Sequence, residues 1–218
     1  SGQDITLDEA ASTFGTLALT GANVAVTDAG ATDLGASTVS GTLGITSAGA
    51  VTDSGTLAIT GATTISASGQ DITLDEAAST FGTLALTGAN VAVTDAGATD
   101  LGASTVSGTL NVTSAGAVTD SGTLAITGAT TISASGQDIT LDEAASTFGT
   151  LALTGANVAV TDAGATDLGA STVSGTLNVT SGGAVTDSGT LAITGATTIS
   201  ASGQDITLDE AASTFGTL

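Results

Sequence analysis

The sequence contains no lysine, arginine, histidine, cysteine, methionine, proline, tryptophan or tyrosine, and only four phenylalanines. Without histidine, cysteine or lysine it has no Ser-His-Asp triad, no thiol nucleophile, no Schiff base and no zinc site of the usual ligands. Without lysine or arginine it has no basic patch, so nucleic acid is a poor partner. We therefore predict that the protein is not an enzyme and has no catalytic, cofactor-binding or metal-binding residues.

Long apolar runs are also missing. No segment approaches the roughly 18–20 apolar residues that cross a membrane, and no basic-then-apolar start indicates a signal peptide. We expect no insertion into a membrane. The absence of cysteine fits either a cytosolic chain or a bacterial surface chain built without disulfides. Ser1 and Leu218 both fall inside the repeating pattern, as expected for a piece of something longer.

What the sequence does contain is a tandem repeat. The segment SGQDITLDEAASTFGTL begins at Ser1, Ser68, Ser135 and Ser202, so the period is 67 residues. The copies span residues 1–67, 68–134 and 135–201, with a partial copy at 202–218, and they differ at Gly44/Asn111/Asn178, Ile45/Val112/Val179 and Ala48/Ala115/Gly182. Near-identical units suit a stack, in which every unit has the same neighbours. We therefore predict one continuous solenoid over residues 1–218.

Within each repeat, short segments alternate apolar with small polar residues, which is typical of strands with one buried face. The clearest are DITLD, TLALT, NVAVT, TLGIT, TLAIT and ATTIS, at residues 4–8, 16–20, 23–27, 42–46, 56–60 and 62–66. Weaker strands near Leu34, Val39 and Val51 bring the number to about nine per repeat. The only helix-forming patch, residues 8–11, is too short for more than one turn.

This pattern predicts an all-β fold, a parallel β-helix or β-solenoid with three strands per coil. Three coils per repeat correspond to about 22 residues per coil and a rise of about 14 Å per repeat. In that register two walls are expected to stack, formed by Leu17, Val39 and Leu57 and by Val24, Leu43 and Ile65. The single phenylalanine of each repeat, at positions 14, 81, 148 and 215, is expected to fill a core layer or pack beneath the DEAAST segment. The alternative is an exposed aromatic ring for sugar stacking or lateral contact.

Charge is the second conspicuous feature. The chain has 21 acidic residues and no basic ones, and each repeat carries carboxylates equivalent to Asp4, Asp8, Glu9, Asp28, Asp33 and Asp53. We predict a solvated acidic surface that keeps rods soluble and separate. The alternative is that the acidic surface binds Ca²⁺ or other divalent cations, with residues 28–33 and 8–9 as the best local clusters. Their spacing matches neither a helix-loop-helix calcium loop nor the tandem nonapeptide array GGxGxDxUx.

Three further motifs give weaker signals. Asn111-Val-Thr113 and Asn178-Val-Thr180 fit the N-glycosylation pattern, but the first repeat has Gly44 there, and an asparagine in a coil corner or ladder is the favoured interpretation. Paired carboxylates can hydrolyse glycosides, but such a site would be copied three times with no basic residue beside it. Threonine is abundant, as in ice-binding surfaces, but a flat array of two threonine columns is not evident.

The phrases SGxDITLDxA, GTLxLTGANVAVTDA and GTLxVTSxGAVTDSGTL resemble the repeats of large secreted bacterial adhesins, the filamentous-haemagglutinin-like proteins of two-partner secretion and related autotransporters. The resemblance covers essentially the whole chain and implies a right-handed β-helix on a cell surface or in an extracellular fibre. We therefore predict a structural role as a filament, adhesin stalk or sheath, with self-association end to end or side by side, because the ends of such a rod are exposed sheet edges. The alternative is a matrix module that divalent cations cross-link. No functional residue can be transferred from the family.

Overall fold

The computed structural model describes residues 2–218, so that Ser1, the first residue of the first predicted repeat, lies outside the described residues. The described chain winds into a β-solenoid of about 11 turns, with successive turns about 19 residues apart and no helix. All strand pairs are parallel, as in the pairing of Val24 with Ile5 below and Leu43 above. The predicted parallel β-solenoid is confirmed.

The strands are short and follow the alternating segments closely. Their bounds are Ile5–Leu7 (β1), Thr16–Leu17 (β2), Thr20–Gly21 (β3), Val24–Asp28 (β4), Thr32–Leu34 (β5), Ser37–Val39 (β6), Leu43–Ser47 (β7), Val51–Asp53 (β8), Leu57–Ile59 (β9), Thr63–Ser66 (β10), Ile72–Leu74 (β11), Thr83–Gly88 (β12), Val91–Asp95 (β13), Thr99–Leu101 (β14), Ser104–Val106 (β15), Leu110–Ser114 (β16), Val118–Asp120 (β17), Leu124–Ile126 (β18), Thr130–Ser133 (β19), Ile139–Leu141 (β20), Thr150–Gly155 (β21), Val158–Asp162 (β22), Thr166–Leu168 (β23), Ser171–Val173 (β24), Leu177–Ser181 (β25), Val185–Asp187 (β26), Leu191–Ser200 (β27), Ile206–Thr207 (β28) and Thr214–Thr217 (β29).

Each coil has two walls. The start of the long strand β12 pairs with β14 and its end pairs with β15, so these two short strands lie side by side over one long strand. A coil therefore typically has a long strand on one wall and two short strands on the other. Where the short strands meet, the hydroxyl of Ser104 accepts a hydrogen bond of 3.0 Å from the Leu86 N–H of the coil below. The gap between the two short strands moves the main-chain carbonyl out of register with this N–H, and the hydroxyl accepts the hydrogen bond in its place.

The repeat is not a whole number of turns. Seven successive pairings, through β4, β7, β10, β12, β14 and β17, lead from β1 to β20, the equivalent strand two repeats later. One repeat therefore makes three and a half turns. Equivalent strands of neighbouring repeats, such as β4 and β13, lie on opposite walls, and the long strands change walls once in each repeat.

The predicted coil of about 22 residues, with three coils per repeat, is therefore wrong in register. The number of strands per repeat was predicted well, but their division into coils was not. The reason is that two short strands of one coil can lie side by side over a single long strand of the coil below. The alternating segments in the sequence do not reveal this arrangement. The segment DEAAST also adds residues without adding a strand: the step from Asp53 to Asp75 covers 22 residues, whereas that from Leu84 to Leu101 covers 17.

Apolar ladders fill the space between the walls. Val24 and Leu43 stack directly, as predicted, whereas Ile65 lies over Ile45 in the neighbouring ladder of the same wall. On the other wall, Leu17 pairs with Leu34, Val39 pairs with Gly21 and Ile59, and Leu57 pairs with Ser37, so the three predicted partners lie in three different ladders. The predicted walls are therefore right in membership but staggered in detail.

The phenylalanines belong to this interior. Phe81 and Phe148 are only 7% and 6% exposed, and Phe14 and Phe215 are partly buried against the core. The burial of Phe81 and Phe148 agrees with the prediction that the ring fills a core layer or packs beneath the DEAAST segment. An aromatic platform for sugar stacking is not formed by these rings.

Candidate functional site

No pocket opens in the solenoid over residues 2–218. Within the same residues, no group of three acidic side chains is arranged to hold a metal ion. None of the described residues forms a helix that is long and apolar enough to cross a membrane. The features that remain are the repeated carboxylates, the corner asparagines and the outward threonines, and the structure assigns each of them a place.

Asp28 ends the long strand β4 and is 2% exposed. Its Oδ1 atom accepts a hydrogen bond of 2.8 Å from the Gly30 N–H, and its Oδ2 atom accepts one of 3.2 Å from the Thr32 hydroxyl. The Thr32 hydroxyl lies 3.0 Å from the Ser47 hydroxyl of the next coil. This buried polar network closes the corner between the two walls, so the Asp28 carboxylate has a structural use.

The equivalent carboxylates of the later repeats show the electrostatic cost of this position. Burial raises the pKa of Asp95 and of Asp162 above the ordinary value of an aspartic acid. Hydrogen bonds from Gly97 and from the Thr99 hydroxyl to Asp95 act in the opposite direction but are the smaller influence. The Asp95 and Asp162 carboxyls are therefore protonated more easily than the carboxyl of an aspartic acid in water.

Asp53 is the second buried carboxylate of the repeat, at 8% exposed. Its Oδ1 atom accepts a hydrogen bond of 2.9 Å from the Asp75 N–H, so it caps the DEAAST turn of the next coil. Its Oδ2 atom is buried without a hydrogen-bond partner among the described residues. Burial raises the pKa of Asp53, and the nearby charges of Asp75 and Glu76 raise it further. Asp120 shows the same direction with the same causes.

The prediction of a solvated acidic surface is therefore wrong for two of the six carboxylates in each repeat. The sequence does hold a signal for both. Asp28 follows Val24 and Val26 at intervals of two, and Asp53 follows Val51 in the same way. In a strand, residues two apart point to the same side, so both carboxylates continue a row of core residues.

Asp33 differs because it points outward from a short strand. Its Oδ2 atom accepts hydrogen bonds of 2.6 Å from the Thr16 hydroxyl and 2.8 Å from the Ser54 hydroxyl, in the coils below and above. These two bonds lower the pKa of Asp33. Asp28 points inward and Asp33 outward, so the cluster at residues 28–33, considered as an alternative calcium site, is not brought together. Asp8 and Glu9, the other local cluster of that alternative, are both exposed.

The corners are held by asparagine. The Asn90 side-chain amide donates a hydrogen bond of 2.9 Å to Asp71 Oδ1, and its Oδ1 atom accepts bonds from the N–H and hydroxyl of Thr109. The amide thus joins three consecutive coils. The copies Asn23 and Asn157 make the same contacts.

Asn111 and Asn178 are placed differently from the corner asparagines. They lie in the long strands β16 and β25 with exposed, outward side chains. Asn111 pairs with Ala92 below and Thr131 above, so it belongs to a strand ladder and not to a corner. Of the two places that the sequence favoured for these residues, a coil corner or a ladder, the structure shows the ladder.

The outward threonines form one column on each block of long strands. Thr27, Thr46 and Ser66 follow one another in register. The neighbouring outward column reads Ala25, Gly44 and Thr64, which agrees with the expectation that no flat array of two threonine columns is present. The carboxylates mainly cap turns and corners. The role that these side chains support is therefore the stacking of each coil on the next.

A family model for repeats of unknown function, DUF5649, matches residues 21–87, 88–154 and 155–218. Its unit therefore has the length of the repeat identified from the sequence, beginning at another point of the same cycle. No curated protein and no solved structure matches the chain.

Proposed function

Since the chain belongs to the DUF5649 family of repeats of unknown function, we propose a role from its architecture: a structural shaft, or fibre-forming segment, of a large extracellular bacterial surface protein. A filament, an adhesin stalk or a sheath uses such a segment to hold other parts at a distance. The resemblance to filamentous-haemagglutinin-like repeats supports the cell-surface location and the bacterial source.

The observation that carries this proposal is the unbroken ladder across repeat boundaries. β10, at the end of the first repeat, pairs residue by residue with β12 of the second, and β19 pairs with β21 in the same way. Each boundary is therefore an ordinary step of the coil. Length can be added one repeat at a time without a new type of interface.

The lack of a basic residue supports a second part of the proposal, that rods of this kind remain separate unless a specific contact joins them. A net charge of −21 makes the approach of two rods unfavourable, most of all at low salt. Self-association end to end would extend the parallel ladder, because a strand edge that lacks a neighbour is a template for pairing.

Electron microscopy of variants with different repeat numbers tests the proposal. Removal of residues 68–134 should shorten the rods by about 17 Å, the rise of three and a half turns at about 4.8 Å each, and duplication of the same residues should lengthen them equally. Particles whose length does not follow repeat number would contradict a shaft.

Location and assembly need separate measurements. Antibody labelling of intact cells that make the protein should detect it at the surface; protein confined to the interior would contradict the proposed location. Addition of calcium, followed by a chelator, distinguishes the cross-linking matrix alternative. A shaft should show the same light scattering in both conditions, whereas a cation-linked matrix should scatter more with calcium and less after chelation.

A further inference from the structure

The five asparagines of the chain fall into two structural classes. Asn23, Asn90 and Asn157 hold corners, and in each the side-chain amide donates to an aspartate of the coil below. These amides are part of the fold. A chemical group attached to the nitrogen would replace one of its two hydrogens, next to a carboxylate that the other hydrogen must still reach.

Asn111 and Asn178 form the second class, in which the fold makes no use of the amide. Both side chains are exposed. In the first repeat Gly44 stands at the same place, with the same pairing to an alanine below and a threonine above. A position that accepts glycine and asparagine with unchanged neighbours does not need an amide for stability.

The sequence around the two classes differs in a way that matches this division. Asn111 and Asn178 are each followed two residues later by threonine, Thr113 and Thr180, whereas the corner asparagines are followed by alanine. Residues two apart in a strand lie on the same side, and the Thr113 side chain is exposed next to Asn111. The acceptor sequence Asn-x-Thr thus occurs where the amide is free and not where it is engaged.

We propose that Asn111 and Asn178 are N-glycosylation sites. In this reaction the Asn Nδ2 atom forms a bond to C1 of a sugar carried on a lipid or nucleotide diphosphate. The C1–O bond to the diphosphate breaks, the diphosphate leaves with the electron pair, and a base of the transferase takes the amide proton. The proposal rests on the proposed extracellular role, in which a hydrophilic, bulky group on the shaft is compatible with function.

The surroundings of each site leave room for a glycan. The neighbours of Asn111 along the outward column are Ala92 and Thr131, which are small and uncharged. The main chain of β16 is paired with β13 below and β19 above. A transferase that binds the acceptor segment in extended form cannot reach that paired main chain, so transfer precedes the stacking of this coil.

Because a repeat makes three and a half turns, the two glycans project from opposite walls. Asn111 lies in a ladder with Ala92, and Asn178 in the opposite wall with Ala159. Their separation along the axis is about 17 Å. A shaft modified in this way is covered on both sides, which opposes face-to-face contact of its uncharged long-strand surfaces.

Mass spectrometry of protein purified from the cells that make it tests the proposal. Trypsin cannot cleave the chain, which has no lysine or arginine, so a protease that cleaves before aspartate is used. It releases residues 100–119 and 167–186, each with one proposed site. It also releases residues 33–52, the matched peptide with Gly44. We expect a mass increase of at least one sugar residue on the first two peptides and none on the third. Unmodified peptides 100–119 and 167–186 would overturn the proposal.

Three variants sharpen the result. Thr113→Ala should abolish modification at Asn111 and leave Asn178 modified, and Thr113→Ser should retain both. Gly44→Asn completes the acceptor sequence with Thr46 and should add a glycan to peptide 33–52. Modification that persists in Thr113→Ala, or that fails to follow Gly44→Asn, would overturn the assignment. Cell-surface labelling of the same samples reports on the proposed function separately, since surface protein with unmodified peptides contradicts the glycan sites alone.

Discussion

The main-chain N–H of Asp75 donates a hydrogen bond of 2.9 Å to the Oδ1 atom of Asp53, a carboxylate that is 8% exposed and that no basic residue in the chain can neutralise. The bond ties the DEAAST turn to the coil beneath it. It also places a charge where water is largely excluded, so the stability of the coil depends on whether the carboxyl is ionised.

The first prediction concerns pH. Burial raises the pKa of Asp53, Asp95, Asp120 and Asp162 in the folded chain. Since the folded chain then binds protons more readily than the unfolded chain, the free energy of unfolding is largest below the ordinary aspartate pKa of about 4 and falls as pH rises through the raised values. Thermal unfolding followed by circular dichroism between pH 4 and neutrality should show a melting temperature that decreases with pH.

Acid also weakens the general repulsion among 21 carboxylates, so a matched control is required. Replacement of the four buried aspartates with asparagine should flatten the dependence on pH. Replacement of four exposed carboxylates that do not perturb these groups, Asp8 and Asp209 with asparagine and Glu9 and Glu210 with glutamine, removes equal charge and should leave more of the slope. Equal slopes in the two variants would show that burial is not the cause.

The second prediction concerns a threonine in the core. Thr130 is 0% exposed, and its hydroxyl has no hydrogen-bond partner among the described residues. It lies in an inward ladder between Leu110 and Leu151. Thr130→Val keeps the shape and removes an unsatisfied polar group, so the free energy of unfolding should rise by about 1–3 kcal/mol. Chemical denaturation measures it, with the exposed Thr131→Val as a control that should change stability by less than about 0.5 kcal/mol.

The third prediction concerns close contact between coils. A Cβ atom on Gly128 would meet the Gly108 carbonyl oxygen at 2.5 Å, whereas one on Gly44 would have its nearest neighbour at 3.8 Å. Gly128→Ala should therefore force the coils apart locally and cost about 1–3 kcal/mol. Gly44→Ala should be neutral or stabilise the chain by about 0.4–1 kcal/mol, because it restricts the unfolded chain. Similar melting temperatures for the two variants would contradict the close stacking at this corner.

The fourth prediction concerns axial spacing. Aligned filaments that contain this array should diffract with a layer line near 4.8 Å from the strands and a meridional spacing of about 17 Å from the rise per repeat, within a full axial period of about 34 Å because successive repeats face opposite walls. The register deduced from the sequence alone, with three coils per repeat, gives about 14 Å. Fibre diffraction or the power spectrum of electron micrographs distinguishes the two values, and a period near 14 Å would exclude three and a half turns.

The fold class could be predicted from the sequence for two reasons. The alternation of apolar and polar residues indicates strands, and the near-identical repeats indicate a stack of equivalent units. Val24 and Leu43 could be placed in one ladder from spacing alone. The coil length could not be predicted, because the alternating pattern of Ser37–Val39 does not show that this strand shares a wall with Thr32–Leu34. The burial of Asp28 was visible in the alternation but conflicts with the cost of burying a charge, and only the contacts with Gly30 and Thr32 show how the fold offsets that cost.

The half-turn in each repeat has a consequence for anything attached to the shaft. Adding or losing one repeat lengthens or shortens the rod, and it also turns whatever follows to the opposite side. Adding or losing two repeats changes the length and restores the direction. In an array with an even number of repeats, the segments before and after it therefore face the same side of the rod. In an array with an odd number, they face opposite sides. Gene duplication in such a protein acts on orientation as well as on reach.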